Sequence, residues 1–139
     1  MDGVSLAAAV FGGFSAMSDA INLYRAYRAK GETPAVGEIV REIEESEAAA
    51  MARPSAAQRL KKVIDDADLG VIRGNIDKAK DRLRKSMGDP ANDNQAKDNA
   101  VDIASSTICA ELKRLKKLNG DNLPGKEYEN WWQSHNCVL

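Results

Sequence analysis

The sequence predicts an all-α fold, a single-domain bundle of five or six helices spanning residues 1–139. Three observations carry that expectation. Apolar residues recur at steps of three and four along most of the chain, which is the spacing that lines one face of a helix. No segment alternates apolar and polar residues as a half-buried strand does. Thr33-Pro34, Arg53-Pro54, Asn119-Gly120 and Leu123-Pro124 fall between the periodic segments, where proline starts helices and glycine stops them.

The first helix is expected over residues 4–30, within an N-terminal segment 1–31 that Gly31 closes. It opens with sixteen residues free of charge, Gly3 to Ser18, and its stripe is Leu6, Val10, Phe14, Met17, Ile21 and Tyr24. Gly12 and Gly13 interrupt it at about 1 kcal/mol each relative to Ala, a cost that close backbone approach offsets. Ala8 with Gly12 and Ala9 with Gly13 put small residues one turn apart, so another helix can come nearly backbone to backbone. That crossing lies either inside the monomer or against a partner. Phe11 stands off the stripe and suits a second packing surface.

Thr33 reads as an N-cap and Pro34 as the first residue of a second helix reaching 52, with Val36, Ile39, Val40 and Ile43 inward and an acidic outer face. Pro54 marks the next boundary, and Ser55 with Gln58 resembles a capping box for a third helix whose apolar side is Leu60, Val63 and Ile64. Asp65, Asp66, Asp68 and Gly70 suggest a turn, with one long bent helix as the alternative. The fourth helix has the clearest register, Ile72, Ile76, Ala79, Leu83 and Met87 over four turns. Residues 88–95 form a surface loop of turn formers. A C-terminal helical hairpin, residues 96–135, then joins a fifth helix burying Val101, Ala104, Ile108, Leu112 and Leu115 to a last helix carrying Tyr128, Trp131 and Trp132.

Composition narrows the function. With 20 Lys and Arg against 21 Asp and Glu, no overall field draws nucleic acid or anionic lipid. The basic set Lys78, Lys80, Arg82, Arg84 and Lys85 is interleaved with Asp77 and Asp81 and has no aromatic platform, so an ion-paired, solvated face is expected and nucleic acid is not. Asp2 occupies the place where a secretory leader has Lys or Arg. The charge-free run reaches about 24 Å as a helix, short of the roughly 30 Å hydrocarbon core, so membrane contact is open but spanning is not expected. A cytoplasmic location follows as the simplest expectation.

Catalytic residue types are sparse. The one histidine, His135, sits in Ser134-His135-Asn136-Cys137 at the chain's end, and contiguous residues there rarely supply an aligned base and an oxyanion site. No Cys/His spacing suits zinc and no glycine-rich loop suits a phosphate, so neither catalysis nor a cofactor is expected. Cys109 and Cys137 come level if the last two helices form an antiparallel hairpin. Buried free thiols are the ordinary expectation in a reducing compartment, and a redox pair is the alternative. Adjacent Trp131 and Trp132 point about 100° apart, so one packs inward, against Leu112 or Leu115, while the other suits a rim or an interface.

The opening Met1-Asp2-Gly3-Val4-Ser5-Leu6-Ala7-Ala8-Ala9-Val10-Phe11-Gly12-Gly13-Phe14, running on to Ser18-Asp19-Ala20-Ile21, resembles the first helix of HeLo-type helical modules, which front immune-like signalling ATPases and related cell-death proteins. The resemblance implies a helical bundle that holds its first helix and, on activation, assembles or releases that helix to a membrane. Together these readings point to a non-enzymatic interaction or adaptor module in bacterial signalling or defence, meeting a protein partner or a second copy. The contact candidates are Ala9, Phe11, Gly12, Gly13, Trp131 and Trp132. A membrane-active effector whose first helix is released is the alternative.

Overall fold

The long apolar segment at the start of the chain becomes α1 (Gly3–Ala29), and the other helices are arranged around it. The computed structural model describes residues 3–139, with side chains from Ser5 onward; Asp2, on which the argument against a leader rested, lies outside the described residues. α1 ends where Gly31 takes a positive φ of 73° and the amides of Gly31 and Glu32 turn back to the carbonyls of Arg28 and Tyr27. A residue without Cβ adopts that left-handed stop at little cost. Ala7, Val10, Phe11, Phe14, Ala16, Met17, Ala20, Ile21 and Tyr24 are all buried, so shelter comes from every side. That is how a helix apolar around most of its circumference is accommodated in a folded chain.

α2 (Glu38–Met51) runs antiparallel to α1 and makes its most extensive contact with it. It begins four residues later than Thr33-Pro34 suggested. The Thr33 hydroxyl donates to Asn94 Oδ1 at 3.1 Å rather than capping, and Gly37, with φ 88°, makes the turn into the helix. Val36 therefore precedes the helix and is exposed, while Ile39 and Ile43 are buried as expected. α3 (Pro54–Val63) begins at its proline, but no side chain caps it, so the Ser55–Gln58 box does not form. Leu60 and Ile64 point inward and Val63 outward.

The chain breaks at Ile64 and Asp65, giving two helices rather than one bent one. Asp65 caps α4 (Asp66–Gly88) by accepting from the Asp68 amide at 2.9 Å, and Gly70 lies inside this helix instead of in a turn. The whole register Ile72, Ile76, Ala79, Leu83 and Met87 is buried. After a short loop, Asp93 caps α5 (Asn94–Leu118) in the same way through the Ala96 amide. Gly120, φ 60°, closes α5 with the Asp121 amide bonded to the Lys116 carbonyl. The last helix, α6 (Lys126–Ser134), returns antiparallel to α5 and lies along α1.

Cross-helix polar contacts fix the arrangement. On the α2 side, Ser46 donates to Asp19 at 2.7 Å and shares a hydrogen bond with Ser15. Lys80 of α4, nearly buried, is held between Glu47 of α2 and Asp77. On the α5 side, Tyr24 donates to Asp98 at 2.6 Å, Arg28 joins the same carboxylate, and Arg25 reaches Asp102. Burial and this hydrogen bond raise the Tyr24 pKa, and the bond from Tyr24 is the chief reason Asp98 falls below its ordinary value.

Candidate functional site

Five of the six contact candidates lie on or against α1, and Trp132 faces away from it. Gly12 faces α2, where an added Cβ would lie 2.6 Å from Met51 Cγ and 3.4 Å from the Glu47 backbone oxygen. Gly13 faces α4, where it would lie 2.4 Å from Ile76 Cγ2. The paired glycines thus admit two neighbours at once, and the close crossing they allow is intramolecular. Ala9 is half-buried at a small groove of about 280 Å³ that also includes Glu47, Met51 and Lys80.

Phe11, off the main stripe, is 1% exposed and belongs to an aromatic cluster with Phe14, Tyr128 and Trp131. Trp131 stacks on Phe14 with centroids 5.7 Å apart and planes 15° apart, and Tyr128 meets both phenylalanines edge-on. The cross-helix aromatic partners of Trp131 are therefore on α1. Arg53 covers the other side of Phe11, its guanidinium 5.3 Å from the ring centroid. Arg53 and Arg59 both bind Glu127 at 3.0 Å. Burial pushes the Glu127 carboxyl up, but its own backbone amide and the two arginines outweigh that and hold it below the ordinary range.

Trp132 is directed elsewhere, as adjacent helical residues must be. Half-buried, it lies under the Lys116 ammonium, 4.6 Å from the ring centroid, beside an open groove of about 400 Å³ formed with Leu123, Asp121 and Glu129. Trp131 and Trp132 are both half-buried, and of the two Trp132 is the one that lines an open groove.

Cys109 and Cys137 form a disulfide with Cα atoms 5.2 Å apart, which corrects the expectation of two free thiols. The reason is the hairpin: α6 returns antiparallel to α5, and the turn after Ser134 carries Cys137 back to the Cys109 level. Closing 28 residues removes denatured-chain entropy equivalent to about 3–4 kcal/mol in the simple loop-closure picture. Cys109 is half-buried and Cys137 nearly buried, and both border a groove of about 360 Å³ with Lys113 and His135.

His135 belongs to this closure rather than to a Ser134-centred constellation. Its Nε2 is 2.8 Å from Ser18 Oγ on α1, and the neighbouring Ser134 hydroxyl bonds Asn22. Burial, helped by the charge on Arg25, lowers the imidazole pKa to about 4. Ser18 with His135 has hydroxyl-to-base spacing, but Ser18 is 1% exposed and buried His135 Nδ1 has no hydrogen-bond partner. A nucleophile–base pair needs access and an orienting third group. The bond as it stands is a strut between α1 and the end of α6. Among the described residues, no three His, Cys, Asp or Glu side chains are grouped to hold a metal ion.

Ser18, Arg53 and Lys116 were missed by sequence reasoning because their partners lie on distant helices. Tyr128 was seen as aromatic surface, but its near-complete burial, with a hydroxyl lacking any partner, was not legible. The spanning expectation also changes: Ser5–Ala29, 25 residues, is long and apolar enough to cross a membrane by length and composition, since the helix continues past Asp19 into Ala20, Ile21, Leu23 and Tyr24. Most of that helix is buried in the bundle. A scan against protein-family models, a search of curated proteins and a search of solved structures each found no match to this chain.

Proposed function

We propose that this chain is a non-enzymatic helical contact module, cytoplasmic and acting in bacterial signalling or defence, which meets a protein partner or a second copy of itself. The observation that carries the reading is Trp132. A rigid aromatic ring held in place by Lys116 beside an open groove is the kind of anchor that contributes most at protein interfaces. Phe11 is buried, and Trp131, half-buried like Trp132, is stacked on Phe14, which leaves the α5–α6 corner as the favoured contact. A lasting disulfide is the exception in a reducing compartment, so the cytoplasmic location requires the Cys109–Cys137 bond to be transient there. The test is affinity capture from the native host with wild-type chain and Trp132→Ala in parallel. The reading expects a partner, or a second copy, held by the wild type and lost by the variant; equal capture by both removes Trp132 from the interface.

A second reading is a membrane-active effector, in keeping with the likeness to HeLo-type modules. It is favoured by α1, a segment with the length and composition of a span, enclosed by amphipathic helices. Release of dye from anionic vesicles separates the two. Leakage on adding purified chain, oxidised or reduced, supports the effector, and intact vesicles under both conditions support the contact module.

A further inference from the structure

We propose that the Cys109–Cys137 bond is an exchangeable latch: a dithiol reduces it, and α6 then lifts from α1 and uncovers Phe11 and Phe14. This concerns how the chain opens rather than what it meets, so it stands apart from the contact reading above.

Three features of the last segment lead there. First, α6 is the shortest helix, nine residues, and a helix of that length is marginal without its packing. It is reached through residues 119–125, where Gly120, Asp121 and Gly125 all have positive φ, so the connection to α5 is a turn and not a continuation of the core. Second, the packing of this segment strands polar atoms. Tyr128 Oη and His135 Nδ1 are both buried with no hydrogen-bond partner, one on each side of the Trp131 contact. Buried polar atoms left unpaired oppose the burial that holds them. Where α1 faces α2 and α5, by contrast, the serine and tyrosine hydroxyls are hydrogen-bonded across the interface. Arg73 Nε and Arg84 Nε of α4 are also buried without a hydrogen-bond partner, but those side chains are ion-paired with Asp77 and Asp81; the segment whose stranded atoms have no charged partner is the one the chain has tied down covalently.

Third, the bond can be reached. Cys109 is the more exposed sulfur and borders the same open groove as Lys113. A thiolate of the dithiol attacks Cys109 Sγ, the sulfur–sulfur bond breaks, and its electron pair leaves on Cys137 Sγ, which takes a proton from water. The second thiol of the reductant then attacks the mixed disulfide and expels the Cys109 thiolate, which is protonated in turn. The reductant is oxidised to its disulfide and the chain gains two electrons and two protons. The Lys113 ammonium on the groove wall favours the thiolates during exchange. In the oxidised chain Cys109 Sγ lies 3.7 Å from the His135 carbonyl, a distance at which a freed thiol would offer only a weak contact in place of a covalent one.

The two tryptophans of the chain are both on α6, so intrinsic fluorescence reports this helix alone. Full-length oxidised chain, the same chain in dithiothreitol, and the Cys109→Ser/Cys137→Ser variant are compared by tryptophan emission and by hydrogen exchange resolved along the sequence. The latch predicts red-shifted emission on reduction, reversal on reoxidation, and exchange at least about tenfold faster over residues 126–134 while α4 keeps its protection. Unchanged emission and exchange in dithiothreitol overturn it. So does loss of protection in all six helices together, which makes the bond a staple of the whole fold. Two free thiols in the native chain, weighed without reductant, overturn it as well. If the double variant does not fold, the wild-type reduction series decides.

Discussion

Tyr24 and Tyr128 are both almost completely buried against α1 or within it, and they differ in what happens to the hydroxyl. Tyr24 donates to Asp98, which Arg28 also holds, so the ring is buried and its polar tip is satisfied at the edge of the bundle. Tyr128 has its ring in the aromatic cluster and its hydroxyl against nothing that can accept it. The same side chain thus marks two modes of cohesion. Where α1 meets α2 and α5, apolar packing and cross-helix hydrogen bonds agree. Where α1 meets α6, two cross-helix bonds, Ser18 with His135 and Asn22 with Ser134, stand beside two stranded polar atoms, and a disulfide adds a covalent tie.

The largest effect on this contrast is expected at Phe14, which touches both regions and is fully buried. Phe14→Ala should cost about 3–5 kcal/mol in urea unfolding, because a cavity opens beneath Trp131 that neither α1 nor α6 can collapse to fill. A loss below about 1 kcal/mol would mean that α6 is loosely seated even when oxidised.

Acid should act on the α6 side. The folded chain keeps His135 neutral down to pH of about 4, whereas the unfolded chain protonates it near its ordinary value of about 6.5. The unfolded state binds more protons between those values, so stability falls as pH drops through that window and this contribution is complete below it. At about 1.36 kcal/mol per unit the change approaches about 3 kcal/mol. Urea midpoints at pH 7 and pH 4.5 check it against His135→Gln, whose pH dependence should be shallower; equal slopes for the two chains would remove His135 from the acid response.

The paired glycines sharpen the comparison inside the core. Gly13→Ala drives its methyl into the branched carbon of fully buried Ile76 and should cost about 1–3 kcal/mol. Gly12→Ala meets first the Met51 side chain, unbranched and partly exposed, which can swing aside, so a smaller loss in thermal unfolding is expected. The smallest effects should be the most telling. Tyr24→Phe strands Asp98 partly and should destabilise by about 1 kcal/mol, while Tyr128→Phe removes an unsatisfied group and should be neutral or stabilise by about 1 kcal/mol. Losses of equal size at both tyrosines would show that Tyr128 finds a partner in solution.

How much of this was legible depends on the range of the interaction that decides it. The stripe on α4 and the burial of Val101, Ala104, Ile108, Leu112 and Leu115 on α5 follow from spacing alone, and both were readable. The start of α2 was not, because Thr33 finds Asn94, sixty-one residues away, instead of the amides beside it. Val63 satisfies a three-four spacing with Leu60 and still faces solvent, since the chain turns at Ile64 before another helix can cover it. The glycine pair announced a close approach, but only the packing assigns one glycine to α2 and the next to α4. At the α6 site, level cysteines made a bridge conceivable. The stacking of Trp131 on Phe14 and the bond from His135 to Ser18 link residues more than a hundred positions apart, and no local pattern encodes them.

The order of the helices along the chain gives α1 one more property. It is synthesised before every helix that shelters it, and Ile76 of α4 and the α5 face arrive only after dozens of further residues. At about 5–20 residues per second that delay lasts several seconds, during which the oiliest segment of the protein leaves the ribosome without its neighbours. Nascent α1 therefore spends that interval with its apolar faces unpartnered, and closure of the bundle waits on the arrival of α4 and α5.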